Sequence, residues 1–442
     1  MILPGHKVGY GDLVIEGEKI VGIVERQQAY DNKGNRLVLP GLVNCHGHTA
    51  MTLVRGLGSG LPLQRWLEEA IFPVEAKMKS EDVRAGNVWG IMEMLAGGTT
   101  VVADMYDFPE EMGVALLEAG MKGRICRVGL GFVEGRLGDC VEFTRQWNEQ
   151  QAYDNKGGQQ AYDNKGVAAD ICIHSEYLTD EQFCRGLAKA NEELKRPLHV
   201  HVSETEKEHS ECMARHGKTP IAYLAETGIL EYGGYAAHCV WCTDDDFRIM
   251  AEKGVSLIHN PTSNMKLGSG FARIARAMEL GVNVALGTDG CASNDNLDMF
   301  EEMHICSLLH KGLAKDPTAL SAWDVIDMAT KNGAKALGMN DTGEIVVGKK
   351  ADLCVVDLDR THLTPCLDIP NLVVNSMHAS DVVMTIVDGR VVYEKSKSEV
   401  EVVQQNCNDS IVGLLATTRT STAKRDFLAA VKRIGLKNLT GE

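Results

Sequence analysis

The sequence predicts an α/β fold: a (β/α)8 TIM barrel accompanied by a small β-sandwich domain built from both chain ends. Three observations carry this reading. Short apolar or β-branched runs alternate with segments of helical period, the pattern of parallel strands covered by helices. The runs number eight, which is the count that closes such a barrel. Gly-punctuated, strand-like stretches without helical period stand at both ends of this block.

In chain order, residues 1–41 supply the N-terminal part of the small domain, with strand-like sequence at 7–25. The barrel is expected over 42–340, with strands at 42–48 (LVNCHGH), 99–105, 125–131, 169–175, 198–204 (LHVHVSE), 235–239, 255–259 and 282–289. Helical patterns lie between or after them at 80–97, 109–122, 180–195, 243–253, 271–281, 298–312 and 321–337. Residues 341–399 return to the small domain through strands at 345–358 and 380–394, and 400–442 form a C-terminal extension with helices expected at 400–416 and 421–435.

The octapeptide QQAYDNKG occurs word for word at 27–34, 150–157 and 159–166. Eight residues are too few for a packed repeat unit, and genuine repeats diverge. The first copy leads into the strand entry NRLVLPGLVN and reads as native. The other two, separated only by Gly158, read as an inserted segment that carries no function.

The chain has 442 residues, 44% hydrophobic and 24% charged, without a low-complexity tract, so it is expected to fold throughout most of its length. Lys and Arg number 45 against 61 Asp and Glu, a net charge of −16 that repels phosphate backbones and anionic lipid. Nucleic acid and membrane are therefore not expected partners. The start carries no basic segment followed by a long apolar one, so a cytoplasmic protein is expected. Thirteen cysteines without framework spacing read as buried apolar residues and not as disulfides.

In a parallel barrel the C-terminal strand ends open into one mouth, and here they are rich in imidazole and carboxylate. Strand one ends His46-Gly-His48, strand four His174, strand five His201 with Glu204 beyond, strand six His238, strand seven His259 and strand eight Asp289. Residues at i and i+2 of a strand share a face, so His46 and His48 can grip one ion. Imidazoles with one carboxylate suit zinc, with iron as the alternative, and leave a position for a water whose pKa falls near neutrality. The pattern points to metal-assisted hydrolysis.

The motifs LPGLVNCHGHTAMTLVRG, PLQRWLEEAIFPVEAKM, HVSETEKE, AAHCV, HNPTSNMKLGSG and LGTDGCASNDNLDMF, spread over about 37–300, resemble the amidohydrolase superfamily, and within it the 5-methylthioadenosine/S-adenosylhomocysteine deaminases. GKKADLCVVDLD and TIVDGRVVY resemble that family's small β domain. The resemblance implies one divalent ion per chain held by His46, His48, His201 and Asp289, with His238 orienting the attacking water or completing the site. His199 competes with His201, but the family's spacing from His to the following Glu favours His201, and His199 would lie deeper. Glu204 resembles the acid/base that carries a proton from water to the ring nitrogen beside the attacked carbon, and Asp289 would assist in taking up the water's proton. For the substrate, the resemblance places Trp66 as an aromatic wall, Glu75 on the two ribose hydroxyls, and Arg127, Arg136 and His174 near the nucleoside or its 5′ tail, with Glu204 and Asp289 also in contact.

The function so implied is hydrolytic deamination of an adenosine derivative such as S-adenosylhomocysteine, 5′-methylthioadenosine or adenosine. Two alternatives stand beside it: the same metal chemistry on another aminated or chlorinated heterocycle (guanine, cytosine, pterin or a chlorotriazine), and a non-catalytic scaffold, which would be expected to have lost ligands that are all present here. A small-molecule nucleoside is the expected partner, and a homo-oligomer is compatible with the sequence. Cys239-Val-Trp-Cys242 has thioredoxin-like spacing without that fold's context, and the glycine clusters at 56–60 and 268–270 lack a dinucleotide-binding frame.

Overall fold

The structure, a computed structural model, describes residues 1–26, 35–154, 166–395 and 417–436. The first octapeptide copy therefore lies outside the described residues and the third does so up to Gly166, while the second runs through the end of the helix Arg136–Asp154 before leaving them; the helix expected at 400–416 also lies outside the described residues.

Nine parallel strand segments form the centre. We label them β1 (Leu42–Gly47), β2 (Thr99–Tyr106), β3 (Lys122–Arg127), β4 (Val167–Ala169 continued by Ile171–Cys172), β5 (Leu198–Val202), β6 (Gly234–His238), β7 (Val255–His259) and β8 (Val284–Leu286). β1 to the first half of β4 make one four-stranded sheet, and the second half of β4 to β8 make a five-stranded one, each in sequential order. Hydrogen bonds run across both seams. On the β4 side Asp170 N donates to Ile125 O and His201 N to His174 O; on the other, Asp289 N donates to His46 O at 3.0 Å. These strands are buried on both faces, which is why they read as near-continuous apolar runs.

Closing β8 against β1 needs a residue without a side chain. A Cβ on Gly287 would come within 2.8 Å of His46 N and 2.9 Å of Asn260 Nδ2.

Helices begin where capping side chains meet the backbone. Asp180, Thr243, Asp298 and Ser321 each accept a bond from a first-turn N–H, close to the starts read from sequence. Several boundaries shift, two of them most. The third strand lies at 122–127 and not 125–131, and the helix expected over 321–337 breaks into Ala322–Ala329 and Lys331–Ala336. We label as α1 Ser80–Ala96, as α2 Met299–Ala314 and as α3 Thr417–Arg433. α3 corresponds to the second helix expected in the extension. Its Phe427 ring stacks on Trp89 of α1 at 4.9 Å, and Arg433 Nη2 lies 2.7 Å from Asp82 Oδ1.

Both ends of the chain meet in an antiparallel sheet. Arg36–Pro40 pairs with Leu353–Asp357, which pairs with Val382–Val387, which pairs with Arg390–Glu394. The hairpin Gly11–Glu16/Lys19–Glu25 bridges to this region at Lys19 and Lys350. Met1, Ile20, Ile345, Ala351, Leu353 and Ile386 fill a separate small core there. Among the described residues no helix is long and apolar enough to cross a membrane. All twelve described cysteines are free thiols, eleven of them buried, as expected from their scattered spacing.

Candidate active site

β1, β5 and the turn after β8 bring His46, His48, His201 and Asp289 together, their ligand atoms all within 4.8 Å of one another. Asp289 Oδ1 lies 3.3 Å from His46 Nε2 and 3.2 Å from His48 Nε2, and the Nε2 atoms of His48 and His201 are 3.2 Å apart. Neighbouring groups fix each ring. His46 Nδ1 bonds His199 Nε2 at 2.8 Å, His48 Nδ1 donates to the Met105 carbonyl, and His201 Nδ1 donates to the His174 carbonyl at 2.7 Å. This leaves every Nε2 aimed at one point. His46 Nε2 is buried and makes no hydrogen bond, a cost that a divalent cation at that point would relieve. Three imidazole nitrogens and one carboxylate oxygen, with ring orientation held from behind, suit zinc.

Asp289 accepts from Ser263 Oγ at 2.6 Å and Ser293 Oγ at 2.9 Å through Oδ2, which keeps Oδ1 turned to the histidines. Burial pushes its pKa up, but His46 and His48 outweigh this and hold it well below the usual carboxylate range. The backbone at these strand ends is unusual. Ser203 (φ 48°), His238 (φ 70°), Cys239 (φ 49°) and Asp289 (φ 64°) are all left-handed without being glycine, a strain common where side chains must be aimed.

Glu204 is 5% exposed and accepts from Ser269 Oγ at 3.4 Å; its Oε2 lies 3.8 Å from His238 Nε2. Burial raises the Glu204 pKa, the direction that suits a proton carrier near neutrality. His238 Nδ1 is 2.8 Å from Asn264 Oδ1, so Nδ1 donates there and Nε2 faces the carboxylates.

A cavity of about 410 Å³ opens from these groups, and His174, Trp66 and Glu75 all line it. Trp66 donates from Nε1 to Leu57 O and is 5% exposed. Glu75 accepts from Tyr106 Oη at 2.6 Å through Oε1, and burial raises its pKa. His174 stays neutral near pH 7, its pKa lowered to about 3 chiefly by burial.

Arg127 and Arg136 do not line the cavity. Arg127 pairs with Glu110 and lies over the Phe143 ring, and Arg136 pairs with Asp107 at 2.8 Å. Nor does His259. Ile258 pairs in register with Ala237, and Ala237 with His201, so Ile258 shares the inner face and His259 faces outward. His199 lies behind His46, its Nε2 2.8 Å from His46 Nδ1, on the side away from Asp289. Sequence reasoning left Ser263, Asn264, Ser269 and Ser293 without roles. Their signal was their clustering in HNPTSNMKLGSG and in the segment after TDG, both rich in short hydrogen-bonding side chains.

The amidohydrolase family model matches residues 37–392, and the chain belongs to this family. It is 43% identical over 394 residues to the 5-methylthioadenosine/S-adenosylhomocysteine deaminase of Acetivibrio thermocellus, covering 88% of each chain. It is 44% identical over 402 residues to the 5′-deoxyadenosine deaminase of Methanosarcina barkeri, covering 88% of this chain and 89% of that one. Among solved structures, an adenosine deaminase from Xanthomonas campestris with bound zinc superposes with a TM-score of 0.79 at 30% identity, covering 90% of this chain and 86% of that one. The atrazine chlorohydrolase TrzN of Arthrobacter aurescens, complexed with zinc, superposes with a TM-score of 0.81 at 20% identity over 97% and 98% of the chains, a likeness of fold alone.

Proposed function

We propose that this amidohydrolase is a metal-dependent deaminase of adenosine derivatives, among them S-adenosylhomocysteine, 5′-methylthioadenosine and adenosine, releasing ammonia and the inosine analogue. The observation that carries the substrate class is one cavity with two chemistries: His48, His201, Asp289 and Glu204 in one part, with His46 directly behind them, and the Glu75 carboxylate held by Tyr106 in another. The names of the relatives support the same class. A carboxylate with one oxygen anchored to Tyr106 still has lone pairs for a vicinal diol, a group that free bases and triazines lack.

In this reading His46, His48, His201 and Asp289 would hold the ion, which would supply Lewis acidity and lower the pKa of the attacking water. His238, oriented by Asn264, positions the attacking water. Glu204 takes a proton from that water and delivers it to the ring nitrogen beside the amine-bearing carbon, and Asp289 accepts the next as the carbon becomes tetrahedral and passes it to the departing amine. Collapse expels ammonia and leaves a carbonyl. Trp66 and His174 bound the nucleoside, and Arg127 and Arg136 act behind the wall, neutralising Glu110 and Asp107.

We read the eight strands as one closed (β/α)8 barrel over 42–340, with 1–41 and 341–399 forming the β-sandwich domain and 400–442 a C-terminal extension. The buried free thiols and the acidic surface support a cytoplasmic setting without nucleic-acid or membrane partners. An ultraviolet screen of purine nucleosides tests the function, because conversion of adenine to hypoxanthine changes the absorbance directly. Adenosine derivatives are expected to turn over fastest; faster turnover of guanine or a chlorotriazine would overturn the substrate class.

A further inference from the structure

The outer face of β7 carries a second group of metal-ligating side chains. His259, directed away from the cavity, meets α2, where Cys306 and His310 stand one turn apart on the same helix face. The Nε2 atoms of His259 and His310 are 3.0 Å apart, and one ligand atom from each of the three residues falls within 4.8 Å of the others. His259 and Cys306 are fully buried and His310 is 8% exposed. The imidazole pair is spaced almost as in the cavity, where His48 and His201 are 3.2 Å apart. His259 Nδ1 is sealed in without a partner, so the mutual hydrogen bond leaves this polar cluster incompletely satisfied.

Tetrahedral bonds of about 2.0–2.1 Å to nitrogen and 2.3 Å to sulfur separate donor atoms by roughly 3.3–3.6 Å. Ligand atoms within 4.8 Å of one another can close to that geometry by side-chain movement alone. Two imidazoles and a thiolate favour a borderline or soft ion over magnesium or calcium.

We propose that His259, Cys306 and His310 form a second metal site, filling three of the four tetrahedral positions of an ion of the zinc class, which pins α2 to β7 on the side of the strand opposite the reaction site. On binding, the Cys306 S–H proton is released to solvent and an S–metal bond forms. The imidazole that donated through Nε2 carries its proton on Nδ1 instead, and no electron is transferred. Directly after β7 comes the segment that carries Ser263, Asn264 and Ser269, so the ion would stiffen the support of Asp289, His238 and Glu204 without touching substrate.

The test uses the full chain stripped of metal by a chelator and reloaded with zinc or cobalt. The four candidate ligands of the cavity site include no thiolate, so a thiolate-to-cobalt charge-transfer absorption reports the second site alone. The native protein is expected to bind two zinc ions per chain in equilibrium dialysis and to show this band on cobalt loading. Cys306→Ser should bind one ion and lose the band, His48→Ala should bind one and keep it, and Cys239→Ser should bind two and keep it. A single ion per chain with no band in the native protein would overturn the proposal, as would a band that survives Cys306→Ser. The native spectrum alone decides the matter if Cys306→Ser fails to fold.

Discussion

Ser263 donates from Oγ to Asp289 Oδ2 at 2.6 Å, so the carboxylate of the cavity site is oriented by a hydroxyl from the segment after β7, on the neighbouring strand. Ligating carboxylates bonded in this way lose roughly 10- to 100-fold in metal affinity or activity when the partner is removed. Ser263→Ala should therefore weaken zinc retention in a chelator competition by that order while leaving the fold intact. Unchanged retention would make Ser293 the sufficient support.

His48 stands between Asp289 and His201. His48→Ala is expected to remove the ion from the cavity site together with activity, as seen by elemental analysis and an adenosine turnover assay. Full activity in a protein that holds no ion there would end the metal reading.

Glu204→Gln keeps the side-chain shape and removes the titrating proton. Turnover should fall by roughly 10² to 10⁴ while zinc content and nucleoside binding persist. Near-normal kcat would assign the proton transfer to another group.

Glu75→Ala should lower kcat/KM for adenosine and its 5′-substituted analogues by roughly 10-fold or more, because a charge-assisted hydrogen bond is worth about 1.5–3 kcal/mol where water is excluded. With one hydroxyl fewer, 2′-deoxyadenosine should be a poorer substrate of the native enzyme and lose less on mutation. Equal losses for both would remove the diol from the argument.

Glu208 accepts from the N–H groups of Ser203 and Glu204, each at 2.7 Å, yet burial and the nearby Glu204 raise its pKa from 4.5 to about 8. A carboxyl raised in the native state holds a proton there that the unfolded chain has lost. Its contribution to stability is full below about pH 4.5 and is lost as the pH rises to about 8. Thermal midpoints of the native protein should fall more steeply from pH 5 to pH 8 than those of Glu208→Gln. Parallel curves would mean that Glu208 is ionised in the folded protein.

The clustering of His46, His48, His201 and Asp289 was legible in two stages: strand periodicity puts His46 and His48 on one side and gathers the strand ends at one mouth, and the family resemblance picks these four from the other histidines there. What escaped reading depended on partners distant in sequence. Lys122 reads as a helix terminus, yet it begins β3, its ammonium buried 2.6 Å from Asp352 and 2.8 Å from Asp388. Arg127 and Arg136 carry the right charge for an anionic tail, but Glu110 and Asp107 already engage them. His259 lay on a strand end like the others, and only the register shows it turned outward. The role of Asn264 was hidden for the opposite reason, since an amide that orients His238 has no chemistry of its own to announce.

The pairing of Arg36–Pro40 with Leu353–Asp357 sets an order on biosynthesis. More than three hundred residues separate the two strands, so at about 5–20 residues per second the ribosome delivers the second roughly 15–60 s after the first. Throughout that interval Leu37 and Leu39, which are 1% and 0% exposed in the finished protein, have no sheet to join. The nascent chain must shelter this strand, on its own surface or on a chaperone, until the partner strand emerges.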